Sequence, residues 1–265
     1  ARSKRLEELN EKGLLYEENG TVKKANIRII GEPDGYELFD YVFVTVRYNQ
    51  IEAALNQLRC NVYAYIIPMV NTLNGYDKFV EIIGRGRLIP CFPGAGGSIE
   101  NGVLHYMLTP TIIQKTTIGE IDGNIPASII TVQNFFKSAK IPTAISKNMD
   151  LWQKSHVALV TALANGIYFD GGDNYTTAEN KEALTTISKS LKSNFGKMSA
   201  AGIKIEPFKL NIIRFCPVSI MNFVIRRIFK TKFAEVCIAS HAKNAKEEME
   251  LLDRDFKEFL KSIEK

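Results

Sequence analysis

Few side chains in this 265-residue chain have both the type and the setting to do chemistry, and the best placed is Lys154. It lies one turn into a largely apolar stretch, 151–169, that has helical spacing. At about 100° per residue, Lys154, Ala158, Ala162 and Asn165 share one face. A lysine above two alanines leaves an open groove for a small ligand, and a desolvated ammonium can exchange a proton near neutral pH. A lysine that snorkels along the helix surface is the plainer reading of the same pattern. Arg47 and Asn71 follow two β-branched runs, and ligands of parallel sheets bind at the carboxyl ends of strands. Other chemistries find less support. His105, His156 and His241 are remote from one another without metal-ligand spacing, and no G-x-S-x-G elbow accompanies a serine. The glycines at 94, 96 and 97 lead into a turn and another strand, so a loop between strands is favoured over a phosphate cradle.

The elements that must position these residues read as α/β grammar. Residues 4–12 form a short amphipathic helix, and two hairpin-like stretches follow. The run 40–46 reads as a strand buried on both faces, 51–58 as a helix and 62–68 as a second buried strand. From 87 to 120 the pattern shifts to shorter strands with turn signals, expected as an antiparallel meander that ends with a strand at 114–118. A helix at 127–139 and an edge strand at 143–145 close this half. The remainder reads as helical over 151–169, 177–201, 222–229 and 233–263. The expected boundary falls near Lys147, between an α/β part at 1–147 and a helical part at 148–265, in line with ~150 residues per domain.

Composition excludes several classes. Hydrophobic residues make up 45% and charged residues 24%, the usage of a soluble globular protein rather than a disordered or fibrous one. Charge-free stretches such as 157–169 fall short of the ~18 apolar residues of a membrane span. The residues after Ala1 show no signal-peptide pattern. Cys60, Cys91, Cys216 and Cys237 are far apart, which suggests neither a disulfide framework nor a zinc site and makes the cytoplasm the default. The net charge of +5 allows an anionic small molecule, an anionic membrane surface or nucleic acid as partner; basic and acidic residues are interleaved, so a solvated charged surface is the common reading and nucleic acid is disfavoured.

Four segments taken together, 40–50 (DYVFVTVRYNQ), 67–71 (IPMVN), 114–120 (QKTTIGE) and 151–154 (LWQK), resemble the ketopantoate reductase family in order and approximate spacing. The resemblance runs over essentially the whole chain. It implies a Rossmann-like dinucleotide-binding domain at 1–147 that binds NADP(H), an all-α domain for substrate and dimerisation at 148–265 that closes over it, and a keto acid between the two. The family's catalytic lysine in L-W-x-K maps onto Lys154, and its asparagine beside the nicotinamide maps onto Asn71. Arg47 replaces the family's lysine after the buried strand. The arginine that reads the 2′-phosphate maps onto Arg2, with Lys4 and Arg5 nearby, and a planar guanidinium suits that dianion. Gln50 and Glu120 complete the implied cofactor-binding set, and Asn165 joins Asn71 on the substrate side. No metal is implied.

Three departures accompany the resemblance. The glycine-rich first βα unit does not occur in this sequence, so the expectation is roughly 30 further residues ahead of Ala1 and a sheet whose inner strand edges are unpaired without them. Family asparagines one and two turns after the lysine are Ala158 and Ala162 here, and the loss of substrate-binding amides can change specificity by ~10⁴. The family's substrate-binding glutamate is not recognisable between 211 and 233; the 241–249 segment instead resembles a divergent branch. Two functions follow: an NADPH-dependent reductase of a 2-keto acid similar to 2-dehydropantoate, or a non-catalytic NADP-binding or regulatory protein that keeps the fold. The amphipathic 233–263 segment leaves room for a homodimer.

Overall fold

The computed structural model describes residues 3–31, 39–60, 63–121, 123 and 126–264. After helix α1 (Ser3–Lys12) come two hairpins with the same turn chemistry. Strands β1 (Leu15–Glu18) and β2 (Thr21–Lys24) are joined by Asn19-Gly20, and β6 (Ala95–Glu100) and β7 (Val103–Leu108) by Asn101-Gly102. All four turn residues have positive φ, the condition of a two-residue turn that follows strand twist. The hairpins unite in one sheet of order β2-β1-β7-β6.

The second layer is built on parallel strands. β3 (Tyr41–Val44) and β4 (Tyr65–Pro68) pair in register Val42↔Ile66, with helix α2 (Ile51–Leu58) as the crossover. Among the described residues β4 is the one strand neighbour of β3. Consecutive β4 residues point to opposite faces, and both faces are covered. Ile66 packs with Leu55 of α2, Phe79 and Ile83 of α3 (Asp77–Ile83), and Trp152. Ile67 packs with Ile129 and Val132 of α4 (Ala127–Ser138). The Ile89 N–H donates to the Ile66 carbonyl at 2.9 Å, which carries the layer on towards the sheet β5-β8-β9 (Cys91–Phe92, Thr116–Gly119, Thr143–Ser146).

From Met149 onward the chain is helical. Helix α5 (Met149–Phe169) starts at Asn148, whose side chain accepts from the Leu151 N–H, the usual use of an N-cap asparagine. α5 packs on α7 (Lys181–Ala200) across Gly166, where a Cβ would stand 2.1 Å from Ile187 Cγ1, so only glycine permits this approach. The helices α6 (Asn174–Glu179), α8 (Val218–Phe229), α9 (Lys232–Ala234), α10 (Ser240–Asn244) and α11 (Lys246–Ile263) complete the bundle around Ile187, Phe195, Phe229 and Phe256. Among the described residues no helix is long and apolar enough to cross a membrane.

The α/β portion followed by a helical region agrees with the sequence expectation, and several details correct it. The strand at 40–46 is shorter and only half-buried apart from Val44. β8 is not part of a meander: it pairs antiparallel with β5 and parallel with β9, inside the layered core. The glycines at 96 and 97 form part of strand β6, where Gly96 lies against Cys237 and Gly97 against the His105 carbonyl. The helix expected at 177–201 breaks at Asn180, which turns extended and caps α7 through its side chain. The helix expected at 233–263 is interrupted by a π turn at Glu235–Ala239 and by Ala245, at φ −126° and ψ 37°.

Candidate active site

β3 and β4 end side by side, and their continuations carry Arg47 and Asn71 to the wall of a cleft of about 1360 Å³. The facing wall comes from α5, α8 and the α10–α11 junction. Arg47 Nη2 donates to the Asn244 carbonyl at 2.6 Å, and the Tyr48 N–H donates to Glu248 Oε1 at 3.2 Å. The Tyr48 hydroxyl donates to Asp255 Oδ2 at 3.0 Å; burial and this bond push its pKa up, so it stays a donor. The segment after β3 is therefore latched to the C-terminal helices.

Asn71 is 5% exposed, and its Oδ1 has no hydrogen-bond partner. A buried acceptor left unsatisfied costs about 1–3 kcal/mol, so its retention calls for a reason. Around it the backbone is clamped by Gln153, itself 1% exposed. The Gln153 Nε2 donates to the Val70 carbonyl at 2.9 Å and to the Tyr76 hydroxyl at 3.1 Å, while its Oε1 accepts from the Thr72 N–H at 3.3 Å. Gln153 was inside the L-W-Q-K segment yet carried no expected role; nothing in a lone glutamine announces burial, which is set here by the loop it grips.

α5 presents His156 to the cleft. Its ring stacks on Trp152 at 4.9 Å between centroids and lies 4.3 Å from Phe92. Burial, with a smaller contribution from His241, pushes its pKa down to about 3, so the imidazole is neutral at working pH. His241, also on the wall, is lowered first by burial; Glu248 opposes the shift and Arg47 reinforces it.

The expected site residues divide. Arg47 and Asn71 meet at the cleft. Lys154 is not on its wall: two residues before His156 means roughly 200° round the helix. The Lys154 ammonium pairs with Asp150 Oδ2 and sits 5.8 Å from the Phe259 ring centroid, towards α11. The pair flanks the Asn71 loop, since Asp150 Oδ1 lies 3.3 Å from where a Cβ on Gly75 would stand. The stripe 154–158–162–165 is not an open groove, because Ala158 and Ala162 are buried in the helical core. Asn165 Nδ2 donates to Asp253 Oδ1 at 2.7 Å and so ties α5 to α11. Gln50 Oε1 accepts from the Arg47 N–H at 3.4 Å, holding the turn that bears Arg47. Arg5 donates to Glu8 within α1, and Arg2 lies outside the described residues. Glu120 borders a separate pocket of about 480 Å³ together with Arg85. Among the described residues no group of three or more His, Cys, Asp or Glu is placed to hold a metal.

Parallel strands ending at a cleft that a helical bundle closes define a two-part α/β architecture with its site at the strand ends. Residues 1–123 match the family model described as ketopantoate reductase PanE/ApbA, so this portion of the chain is similar to that family. Among solved structures it resembles a 2-dehydropantoate 2-reductase from Geobacter metallireducens GS-15, with 11% identity, TM-score 0.69, and coverage of 99% of this chain and 89% of that one. A D-mandelate dehydrogenase solved with NADH and anilino(oxo)acetate shares 9% identity at TM-score 0.68, over 98% of this chain and 88% of that one. A PanE/ApbA family ketopantoate reductase from Ralstonia eutropha JMP134 shares 11% identity at TM-score 0.62, over 100% and 90% of the two chains. At such identities the likeness is one of fold. No curated protein matches the chain in sequence.

Proposed function

We propose that this protein reduces a 2-oxo acid with a nicotinamide cofactor at the cleft between the sheet-bearing part, 1–147, and the helical part, 148–265. The observation that carries the reading is Asn71, a buried amide with an unsatisfied acceptor at the carboxyl end of a parallel strand. An orphaned Oδ1 there suits a carboxamide donor, so the residues present fit the nicotinamide end of the cofactor. When bound beside Asn71, reduced nicotinamide would supply the hydride for the C2 carbonyl carbon. NADPH over NADH, and a cytoplasmic setting, belong to the same reading; the preference for NADPH rests on the resemblance at Arg2.

The protein's own groups handle charge and the proton. Arg47 offers a guanidinium for the substrate carboxylate or a cofactor phosphate. As the C2=O π bond opens, the oxygen takes a proton and becomes the hydroxyl. That proton is assigned to Lys154, which exchanges Asp150 for the substrate oxygen. His156 is unsuited to the task because its imidazole carries no proton to give above about pH 3. It serves as a neutral hydrogen-bonding group on the wall.

The engagement of Lys154 with Asp150, away from the cleft wall, favours one second reading: a non-catalytic dinucleotide-binding protein that retains the reductase fold. Cofactor fluorescence and absorbance separate the two. Reduction predicts NADPH oxidation by a 2-oxo acid, faster than NADH oxidation. Enhanced NADPH fluorescence without oxidation by any member of a 2-oxo acid panel supports the binding protein instead.

A further inference from the structure

The cleft has more hydrocarbon than a small polar oxo acid needs. Its volume of about 1360 Å³ is large beside the ~300–1,000 Å³ of ordinary small-molecule pockets, enough for the nicotinamide end of the cofactor and a substrate together. Arg47 and Glu248, the charged residues of its lining apart from its histidines, lie on segments that bind one another: Arg47 donates to the Asn244 carbonyl, and the neighbouring Tyr48 N–H to Glu248. Away from them the lining is mostly aliphatic, with Leu159 and Leu163 from α5, Val224 and Ile228 from α8, and Ile99 and Leu104 from the β6–β7 hairpin, beside a few neutral polar groups such as Ser98 and Gln114. Val224 is 47% exposed and Ile99 54%, so hydrocarbon that would be costly on an outer surface lies uncovered inside a concavity.

We propose that the substrate is a 2-oxo acid with a long or branched apolar side chain, its carboxylate and carbonyl at Arg47 and Asn71 and its hydrocarbon between α8 and the β6–β7 hairpin. This rests on reading the cleft as the reductase site. Each methylene that moves from water into such a wall contributes up to roughly fourfold in kcat/KM. The charged residues at the head end explain why the other end of the substrate carries no second carboxylate: no cation lines the aliphatic walls named above, and a buried anion there would be unpaired.

The test measures NADPH oxidation by the whole chain with 2-oxobutyrate, 2-oxohexanoate, 2-oxooctanoate, phenylglyoxylate and 2-oxoglutarate, alongside calorimetric binding of the same acids. The expected result is a rise of at least tenfold in kcat/KM from 2-oxobutyrate to 2-oxooctanoate, with 2-oxoglutarate poorest. Val224→Asp is expected to lower the eight-carbon value at least fivefold more than the four-carbon value. Turnover that is flat or falling with chain length overturns the inference and leaves the reductase reading standing. Absence of turnover with every acid defeats the reductase reading; in that case affinity that rises with chain length and is lost in Val224→Asp upholds the apolar site, and affinity independent of chain length overturns it.

Discussion

Helix α5 has two faces with opposite surroundings. One meets the cleft through His156, Leu159 and Leu163, and its histidine is stripped of water and neutral. The other meets α11 through Lys154 and Asn165, and its polar groups are engaged by Asp150 and Asp253. The difference teaches that the face with the open space and the face with the acid-base candidate are not the same, and that Gln153 links the two by gripping the loop that carries Asn71. On the proposed reading the lysine must exchange Asp150 for substrate, whereas the histidine needs no change to be a passive wall.

That contrast can be broken by substitution on each face. The largest effect is expected at Lys154: Lys154→Ala lowers kcat by about 10²–10⁴-fold with NADPH affinity kept, whereas His156→Phe, which preserves the stack on Trp152, lowers it by no more than about tenfold. Equal losses would remove the distinction between the faces. Next is Gln153→Ala, which leaves the Val70 carbonyl and the Thr72 N–H without their buried partner and lowers unfolding stability by about 1–3 kcal/mol in denaturant titration.

A pH effect comes third. His156 has a folded pKa of about 3 against an ordinary 6.5, so between these values the unfolded chain binds the extra proton and the folded protein does not. Stability from this group is fully present above pH 6.5 and is lost as pH falls towards 3. Thermal melts should therefore decline less steeply with acid in His156→Phe than in the parent; parallel declines would contradict the burial argument. The smallest effect is Asn165→Ala, about 0.5–1.5 kcal/mol for one hydrogen bond at a partly solvated edge, with kcat unchanged.

Much of the frame was legible in the residues. The β-branched runs located β3 and β4, helical spacing located α2, and the ends of both strands carry Arg47 and Asn71 to the cleft. What escaped was decided by distant packing. The partners of β8 are β5 and β9, far along the chain, so its short apolar pattern looked like one more hairpin strand. Spacing correctly grouped 154, 158, 162 and 165 on one face but could not say that α7 and α11 would bury its middle. Asn180 and Ala245 interrupt helices whose periodicity continues on either side, because a side-chain cap and a single backbone rotation leave no mark in an apolar pattern.

On the proposed reading, the unpartnered Asn71 Oδ1 is kept for ligand at a cost in stability. Measuring kcat/KM and unfolding free energy together in Asn71→Ala tests it most directly. Since the change removes a buried acceptor that has no partner, stability should hold or rise while kcat/KM for a 2-oxo acid falls by about 100-fold or more. Unchanged kcat/KM, or a loss of activity matched by a loss of stability, would contradict the account.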